Sequence, residues 1–183
     1  HLSYYSLILE EHTRLYDNYE PLDEETEGKW SDYIVETLSQ AGFHRYEVSN
    51  YALGNHESEH NKVYWHYDNY YGMGIGATGK IDDELISHSR SLTDYLKGKN
   101  TIYIEKETIE DTMFNHLMMS LRLKEGLDLD EFKRRYHCSV EDVYKEALTK
   151  NLGNHSLIIE NNHLKTNDTL DLLNSILLDF LPE

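Results

Sequence analysis

Three histidines lie within eleven residues, His56, His60 and His66, with Glu57 and Glu59 between them. Imidazole and carboxylate are ligands that zinc takes, and an i, i+4 spacing such as His56/His60 would put two rings on one face of a helix. Gly54-Asn55 upstream and the missing apolar period argue against a helix there, and no third ligand has a clear spacing. Surface or hydrogen-bonding histidines are the competing reading. Haem asks less of the protein. One neutral imidazole can hold the iron while flat and apolar side chains cover the macrocycle. His60 offers that imidazole, Asn61 a polar group beside it, and Tyr64 and Trp65 two flat rings. Core packing accounts for the rings as well, so the residues alone leave both readings open.

A second feature is glycine. Gly74-Ile75-Gly76-Ala77-Thr78-Gly79 formally fits G-x-G-x-x-G. A dinucleotide fingerprint needs a helix directly after the glycines, whereas Lys80-Ile81-Asp82-Asp83-Glu84 reads as strand and turn. The expectation is a glycine-rich strand over Tyr70–Ile81, bare so that a ligand or a neighbouring helix can approach its backbone.

Residues 2–9 (LSYYSLIL) form a continuous apolar run, closed by Glu10 and Glu11 and followed by a polar loop to Pro21. The run suits a strand buried on both faces of a parallel sheet. Asp23–Ala41 reads as a helix capped by Asp23 and stopped by Gly42, with Trp30, Tyr33, Ile34, Thr37, Leu38 and Ala41 on one face. Arg45–Ser49 reads as a strand, completing a βαβ unit. Asn50–Asn69 is expected to be an ordered loop, Glu84–His88 a short strand and Ser91–Lys97 a short helix, with a boundary at Gly98–Asn100.

From Thr108 the pattern is helical. Thr108–Leu121 carries Ile109, Met113, Phe114, Leu117, Met118 and Leu121 on one face, with Thr108 and Asp111 as a capping pair. Asp128–Tyr136 and Ser139–Lys150 follow. Leu157–Glu160 and His163–Lys165 flank Asn161-Asn162, a hairpin turn signal. A last helix, Asp168–Leu181, would bury Leu170, Leu173, Ile176, Leu177 and Phe180. Three helices, a hairpin and a helix suggest a small winged-helix-like domain. Its candidate recognition helix opens Ser139, Glu141, Asp142, and acids there speak against DNA and for a structural or docking role.

Composition narrows the function classes. The chain has 183 residues, 39% of them hydrophobic, with 15 Tyr against four Phe. Tyrosine fills a core edge while keeping its hydroxyl wet, which suits a cleft or an interface. The net charge of −17 excludes nucleic acid as a natural partner. Residues 1–60 hold 13 Asp and Glu against three Lys and Arg, whereas residues 61–100 balance at five and five. A single cysteine, Cys138, excludes an internal disulfide framework and suits a reducing compartment. No signal peptide or membrane span is seen in the residues. An opening at His1, directly in a strand-like run, reads as the C-terminal part of a longer protein.

Four stretches then match one family. His60-Asn61-Lys62-Val63-Tyr64-Trp65 fits H-N-x-x-Y-W, and Tyr46-Glu47-Val48-Ser49-Asn50-Tyr51-Ala52 fits Y-E-I/V-S-N-F/Y-A. Residues 72–79 resemble G-I/M-G-x-G-A-H-G, and His1-Leu2-Ser3-Tyr4-Tyr5-Ser6 resembles H-I/V-S-x-Y-x-L/I. In matching order over nearly the whole chain, the sequence resembles the C-terminal half of the haem chaperones of the radical S-adenosylmethionine superfamily, widely labelled oxygen-independent coproporphyrinogen III oxidase-like. The resemblance implies an α/β plus α+β fold, with residues 1–100 as the last strands and helices of a partial (β/α) TIM-like barrel and residues 105–183 as an accessory domain. It implies haem or porphyrin binding through His60, Asn61, Tyr64 and Trp65, with His60 on the iron. It places Ser6, Gly74, Gly76, Ala77 and Thr78 on the S-adenosylmethionine side of the barrel, where Thr78 departs from the family's His. The cysteines for a 4Fe–4S cluster would lie upstream, so this stretch alone would be inactive toward S-adenosylmethionine. A cytoplasmic location and delivery to a haem-acceptor protein, a membrane-associated one among the candidates, are further expectations. A fragment of a barrel would also tend to dimerise through its bared face. Two alternatives remain: radical oxidative decarboxylation of coproporphyrinogen III propionates, and a non-enzymatic metal-binding or structural domain. The genuine oxidase is expected to lack both the Y-E-V-S-N and the H-N-x-x-Y-W stretches.

Overall fold

The computed structural model describes residues 1–9, 11–19, 22–168 and 170–181; the expected close at Glu10 and the loop end at Pro21 lie outside them. The fold is mixed α and β. Backbone contacts divide the chain into two compact units, His1–Glu57 and Ser58–Glu183. No helix among the described residues is long and apolar enough to cross a membrane.

The first unit contains β1 (Leu2–Ser3), α1 (Glu24–Gln40), β2 (Phe43–Arg45) and β3 (Asn50–Leu53). Asp23 caps α1 as expected, accepting the Thr26 amide hydrogen at 2.9 Å. Gly42 turns the chain at φ 86, a left-handed value that glycine adopts freely. β3 is the centre of the sheet and pairs antiparallel with both neighbours, Leu2 opposite Tyr51 and Phe43 opposite Leu53. The expected βαβ unit with a buried parallel strand is therefore corrected. β1 and β2 run the same way, but β3 lies between them and opposes each.

Two further differences have local causes. Of the strand expected at Arg45–Ser49, Arg45 ends β2 and the chain bends back after it, because the Glu47 carboxylate accepts the Ser49 amide hydrogen at 2.7 Å and an Asn50 side-chain hydrogen. Those bonds fold the chain back at the point where a strand would continue, and β3 starts at Asn50. The apolar run at residues 2–9 is hydrogen-bonded as strand at Leu2–Ser3 alone, with one more bond from the Tyr4 amide to the Ser49 carbonyl at 2.8 Å. Leu7 and Ile8 are exposed. Trp30 and Tyr33, expected on the inward face of α1, are also exposed and pack edge to face with each other.

The second unit begins with α2 (Glu59–Trp65) and an antiparallel sheet of β4 (Thr78–Ile81), β5 (Glu84–His88) and β6 (Ile102–Lys106), in that order. α3 (Leu92–Leu96) lies between β5 and β6 in sequence and is capped by Ser91. The division expected near residues 100–105 falls inside this unit, where β6 extends the sheet. Then come α4 (Ile109–Ser120), β7 (Leu127–Asp128), α5 (Leu129–Tyr136), α6 (Val140–Val143), α7 (Lys145–Gly153), β8 (Leu157–Glu160), β9 (His163–Thr166) and α8 (Leu173–Leu177), the last flanked by short 3₁₀ turns. β9 pairs antiparallel with β8 and β7. Asn161 and Asn162 both take positive φ, 50 and 66, the signature of the tight hairpin turn their sequence signals.

The Thr108–Asp111 capping box is present on α4. The buried face of α4 is Thr112, Met113, His116, Leu117 and Ser120, while Ile109 is exposed. The helix has turned by part of a residue step from the face its apolar side chains predict, to bring His116 inward. The single helix expected over Ser139–Lys150 is broken at Tyr144, where φ is −119. Leu117, Leu121, Leu127, Phe132, Leu157 and Leu164 have no accessible surface and form the centre of the core. Leu170, Leu173, Ile176, Leu177 and Phe180 join it as their spacing predicts.

Candidate functional site

His60 stands on α2, and Ser58 caps the start of that helix. The Ser58 hydroxyl accepts the Asn61 amide hydrogen at 3.2 Å and satisfies a donor that the first turn leaves open. The loop expected over Asn50–Asn69 is thus corrected to β3 followed by a capped helix. His56 lies before the cap, so His56 and His60 do not share a helical face. Among the described residues, no three His, Cys, Asp or Glu side chains are arranged to hold a metal ion.

Seven residues are too few for a helix to persist by itself, and α2 is anchored at its C-terminal end. Tyr67 takes φ 57. Its amide donates to the Tyr64 carbonyl at 3.0 Å and the Asp68 amide to the Val63 carbonyl at 2.9 Å, the two bonds of a Schellman cap. A side chain in left-handed conformation costs about 1–2 kcal/mol, and glycine is the usual occupant. Tyr67 offsets that cost through its surroundings. Its carbonyl accepts Lys80 Nζ at 3.2 Å and Arg135 Nη1 at 2.9 Å. The Lys80 ammonium lies 3.9 Å from the centre of the Tyr67 ring, a cation–π contact. The Tyr67 hydroxyl donates to Glu107 Oε2 at 2.6 Å, and Asn115 donates to the other Glu107 oxygen at 2.7 Å. Burial, reinforced by the Glu107 carboxylate, pushes the Tyr67 phenol well above its ordinary pKa. Burial and then the Arg135 guanidinium pull the Lys80 ammonium down.

His116 stacks within this cluster. Its ring centre is 5.9 Å from those of Tyr67 and Phe132, at interplanar angles of 16° and 23°. It is 3% exposed, and Nδ1 has no hydrogen-bond partner among the described residues. Burial, with a smaller contribution from Arg135, pulls its pKa from 6.5 to about 3, so the ring is neutral. Tyr67, Lys80, Arg135 and Tyr136 line a cleft of about 370 Å³. Its cations are already engaged by Tyr67, Asp68 and Glu131, which makes it a support for α2 more than a binding site. None of this cluster is marked by a motif, and no sequence signal singles it out.

The H-N-x-x-Y-W residues separate into two faces. His60 and Tyr64 meet at i, i+4: Tyr64 Oη lies 3.2 Å from His60 Nε2, with ring centres 5.0 Å apart and planes at 89°. Tyr70 packs edge-on to Tyr64 at 4.6 Å. Its own backbone is tied both ways to Lys80, at 2.9 and 2.8 Å. Trp65 points elsewhere. Arg122 lies over its indole at 4.6 Å, and Ser120 donates to its carbonyl at 3.2 Å. Asn61 is half-buried and shares the Trp65 side of the helix by its spacing. His66 pairs with Glu125 at 3.3 Å.

The glycine segment is a loop closing onto a strand, not the expected continuous strand. Gly74 and Gly76 take φ 97 and 68, and pairing as β4 begins at Thr78. The close approach foreseen for the glycines is made by the chain itself. A Cβ on Gly72 would lie 2.5 Å from the Thr78 carbonyl carbon, and one on Gly79 2.6 Å from the Gly72 nitrogen. Gly74 has nothing within 4 Å of such a position, so a positive φ explains it. The Gly76 amide donates to the Ser89 carbonyl at 3.1 Å, Ala77 accepts from His88 at 2.9 Å, and the Thr78 hydroxyl meets that of Ser87 at 3.1 Å.

In the first unit, Ser6 is exposed and lies three residues past the end of β1. The Y-E-V-S-N stretch forms a buried polar knot there. Glu47 and Asn50 have no accessible surface, Asn50 bonds to Ser3 and Glu47, and its Nδ2 donates to Tyr5 Oη at 3.3 Å. Tyr46 Oη is 2.9 Å from His1 Nε2. This motif therefore ties the first strand to β3, a role its spacing did not reveal. As donor chemistry, a solvent-facing imidazole with phenol rings beside it fits haem iron. The one cysteine, Cys138, donates to Met113 Sδ at 3.8 Å and cannot supply the several thiolates of an iron–sulfur cluster.

Comparison with known proteins agrees with the motifs. Residues 108–169 match the HemN C-terminal domain family. The chain is 30% identical over 194 residues to a protein named Heme chaperone HemW from Lactococcus lactis subsp. lactis, covering 99% of this chain and 50% of that one. A Heme chaperone HemW from Synechocystis sp. is 33% identical over 140 residues, covering 69% and 34%. The structure of coproporphyrinogen III oxidase (HemN) from Escherichia coli, described as a radical SAM enzyme, superposes with a TM-score of 0.66 over 87% of this chain and 42% of that one. At 14% identity that likeness speaks to fold. The chain spans half or less of the length of these relatives. It is HemW-like along nearly its whole length and carries a HemN C-terminal domain at residues 108–169.

Proposed function

We propose that this chain is the haem-holding part of a haem-trafficking protein of radical-SAM type, with His60 as the iron ligand. The observation that carries the proposal is the exposed His60 imidazole on a capped helix, with Tyr64 beside it. The HemW relatives supply the cargo class by name. Asn61 and Trp65 then act from the other side of α2, holding the helix while His60 and Tyr64 face the macrocycle. Tyr70 and the exposed Tyr71 and Met73 of the adjoining loop offer flat and apolar cover. In the full-length protein, residues 1–100 would close a TIM-like barrel and residues 105–183 would form a winged-helix-like accessory domain. The three antiparallel strands β7, β9 and β8 against α4, α5 and α7 support that description of the second part. Gly74, Gly76, Ala77, Thr78 and Ser6 would face S-adenosylmethionine, whose cleavage needs a cluster that this chain cannot ligate. The acidic surface and single cysteine suit the cytoplasm, and a haem-acceptor protein completes the route.

Titration with haem kept ferrous by dithionite, followed by Soret absorbance, tests the proposal. Saturable binding in the wild type, weakened at least tenfold in His60→Ala, is the expected result; equal spectra and affinity for the two remove His60 as a ligand. Reconstituting the full-length protein with cluster and S-adenosylmethionine separates transport from oxidative decarboxylation. Protoporphyrinogen as product would overturn the transport reading.

A further inference from the structure

We propose that His60 and Tyr64 form a ligand-exchange pair, in which the Tyr64 phenolate holds ferric haem and the His60 imidazole holds ferrous haem. The proposal rests on the haem reading above and adds to it a second ligand and a dependence on oxidation state. Its basis is the 3.2 Å separation of Tyr64 Oη and His60 Nε2 on one face of α2. The two axial positions of a haem iron lie on opposite faces of the macrocycle. Two donors in mutual contact on one helix face therefore compete for one position, and one ligates while the other hydrogen-bonds. The helix spacing and the edge-on Tyr70 ring keep both groups at that position.

Which one ligates follows from the chemistry of the pair. When Tyr64 donates its hydrogen to His60, the Nε2 lone pair is committed, and iron arriving at Nε2 must break that bond. Iron arriving at Tyr64 Oη uses it. The O–H bond breaks, the Fe–O bond forms, and the proton passes to Nε2, which remains hydrogen-bonded to the phenolate oxygen. Phenolate is a hard anionic donor that suits Fe(III), as tyrosine does in catalase. Neutral imidazole suits Fe(II). A one-electron reductant would reverse the arrangement. The electron reduces Fe(III) to Fe(II), the Fe–O bond breaks, the proton returns from Nε2 to Oη, and Nε2 binds the iron. The protein keeps its proton throughout, so the exchange needs nothing from solvent beyond the electron. A carrier built this way holds its cargo by different bonds in its two oxidation states, and a change of state weakens one bond before the other forms.

The test uses the whole chain loaded with haem, as wild type, Tyr64→Phe and His60→Ala, with far-UV circular dichroism to confirm the fold of each. Resonance Raman and electronic spectra are recorded in the ferric state and after reduction with dithionite. The wild type is expected to show iron–phenolate bands when ferric and an imidazole-ligated spectrum when ferrous. Tyr64→Phe should lose the phenolate bands and keep the ferrous spectrum. His60→Ala should keep ferric phenolate bands and lose the ferrous imidazole spectrum. Ferric spectra that are the same in the wild type and Tyr64→Phe would overturn the exchange while leaving haem binding through His60 intact. No saturable Soret band in the wild type would overturn both.

Discussion

At the scale of single residues, the chemistry worth testing outside the haem motif is buried. His116 has a folded pKa near 3 against an ordinary value of 6.5. Between those values the unfolded chain binds a proton that the folded chain refuses. Stability must then rise with pH across the window and fall as pH drops from 6.5 toward 3, by up to about 1.4 kcal/mol per pH unit for one such group. Replacing His116 with Leu, an apolar side chain of similar size, should flatten that slope when unfolding is followed by urea between pH 6.5 and 4. An unchanged slope would show that His116 is not what titrates. Tyr67→Phe removes a hydroxyl that donates to the Glu107 carboxylate at 2.6 Å, leaving Asn115 on the other oxygen. A hydrogen bond to a charged group contributes about 1.5–3 kcal/mol, and a loss in that range is expected in the same assay. Neither residue was legible from sequence. His116 sits in an α4 pattern whose apolar members outvote it, and Tyr67 occupies a backbone conformation that sequence rules assign to glycine. What could be read was that His60 and Tyr64 stand in a cluster of polar and aromatic types without a period; the residues alone left core packing and a binding site both open for the rings.

Elements tell a similar story with different causes. α4, α5, the β8–β9 hairpin and the apolar face of the last helical segment follow their sequence signals, because each has a cap, a turn pair or a clean period of its own. α2 and β6 do not announce themselves. Seven residues give no period, and Gly54-Asn55 looks like a loop until the Ser58 cap is seen. β6 is exposed along its whole length, so no burial pattern marks it. The glycines of residues 72–79 were legible as a close approach, though the partner proved to be their own chain. That gives a comparison between two glycines. In Gly79→Ala the added Cβ would sit 2.6 Å from the Gly72 nitrogen and 2.9 Å from the Tyr70 carbonyl oxygen. Backbone cannot give way as a side chain can, and a loss of about 1–3 kcal/mol is expected. It should be accompanied by faster hydrogen exchange at the Tyr70 and Lys80 amides. Gly28 lies inside α1 with nothing within 4 Å of its Cβ position. Gly28→Ala should stabilise the first unit by up to about 1 kcal/mol. If Gly79→Ala were as well tolerated as Gly28→Ala, the crossing at Gly72 and Gly79 would not be a constraint.

For the whole molecule the question is how stability is distributed between the two units. The second unit buries Leu117, Leu121, Leu127, Phe132, Leu157, Leu164 and the aromatic cluster around His116. In the first, Tyr46, Tyr51 and Ala52 are the buried hydrophobics among the described residues, while Leu7, Ile8, Trp30 and Tyr33 are exposed. Each buried aliphatic or aromatic side chain contributes about 1.5–3 kcal/mol, so the second unit has far more to set against chain entropy. The polar knot of Glu47, Asn50, Ser3 and Tyr5 specifies the first unit's strand pairing but adds little net stability, since its groups exchange water for one another. The two tryptophans make the difference measurable, because Trp30 lies in one unit and Trp65 in the other. In Trp65→Phe the remaining Trp30, 53% exposed, should emit as a solvated indole and change early in a urea titration. In Trp30→Phe the remaining Trp65, packed under Arg122, should change later and in step with the loss of far-UV circular dichroism from the second unit. Two separate midpoints are the expected result, with the Trp65 transition at the higher urea concentration. Coincident transitions for both reporters would mean that the chain unfolds as one cooperative body, and the uneven burial would then have no thermodynamic counterpart.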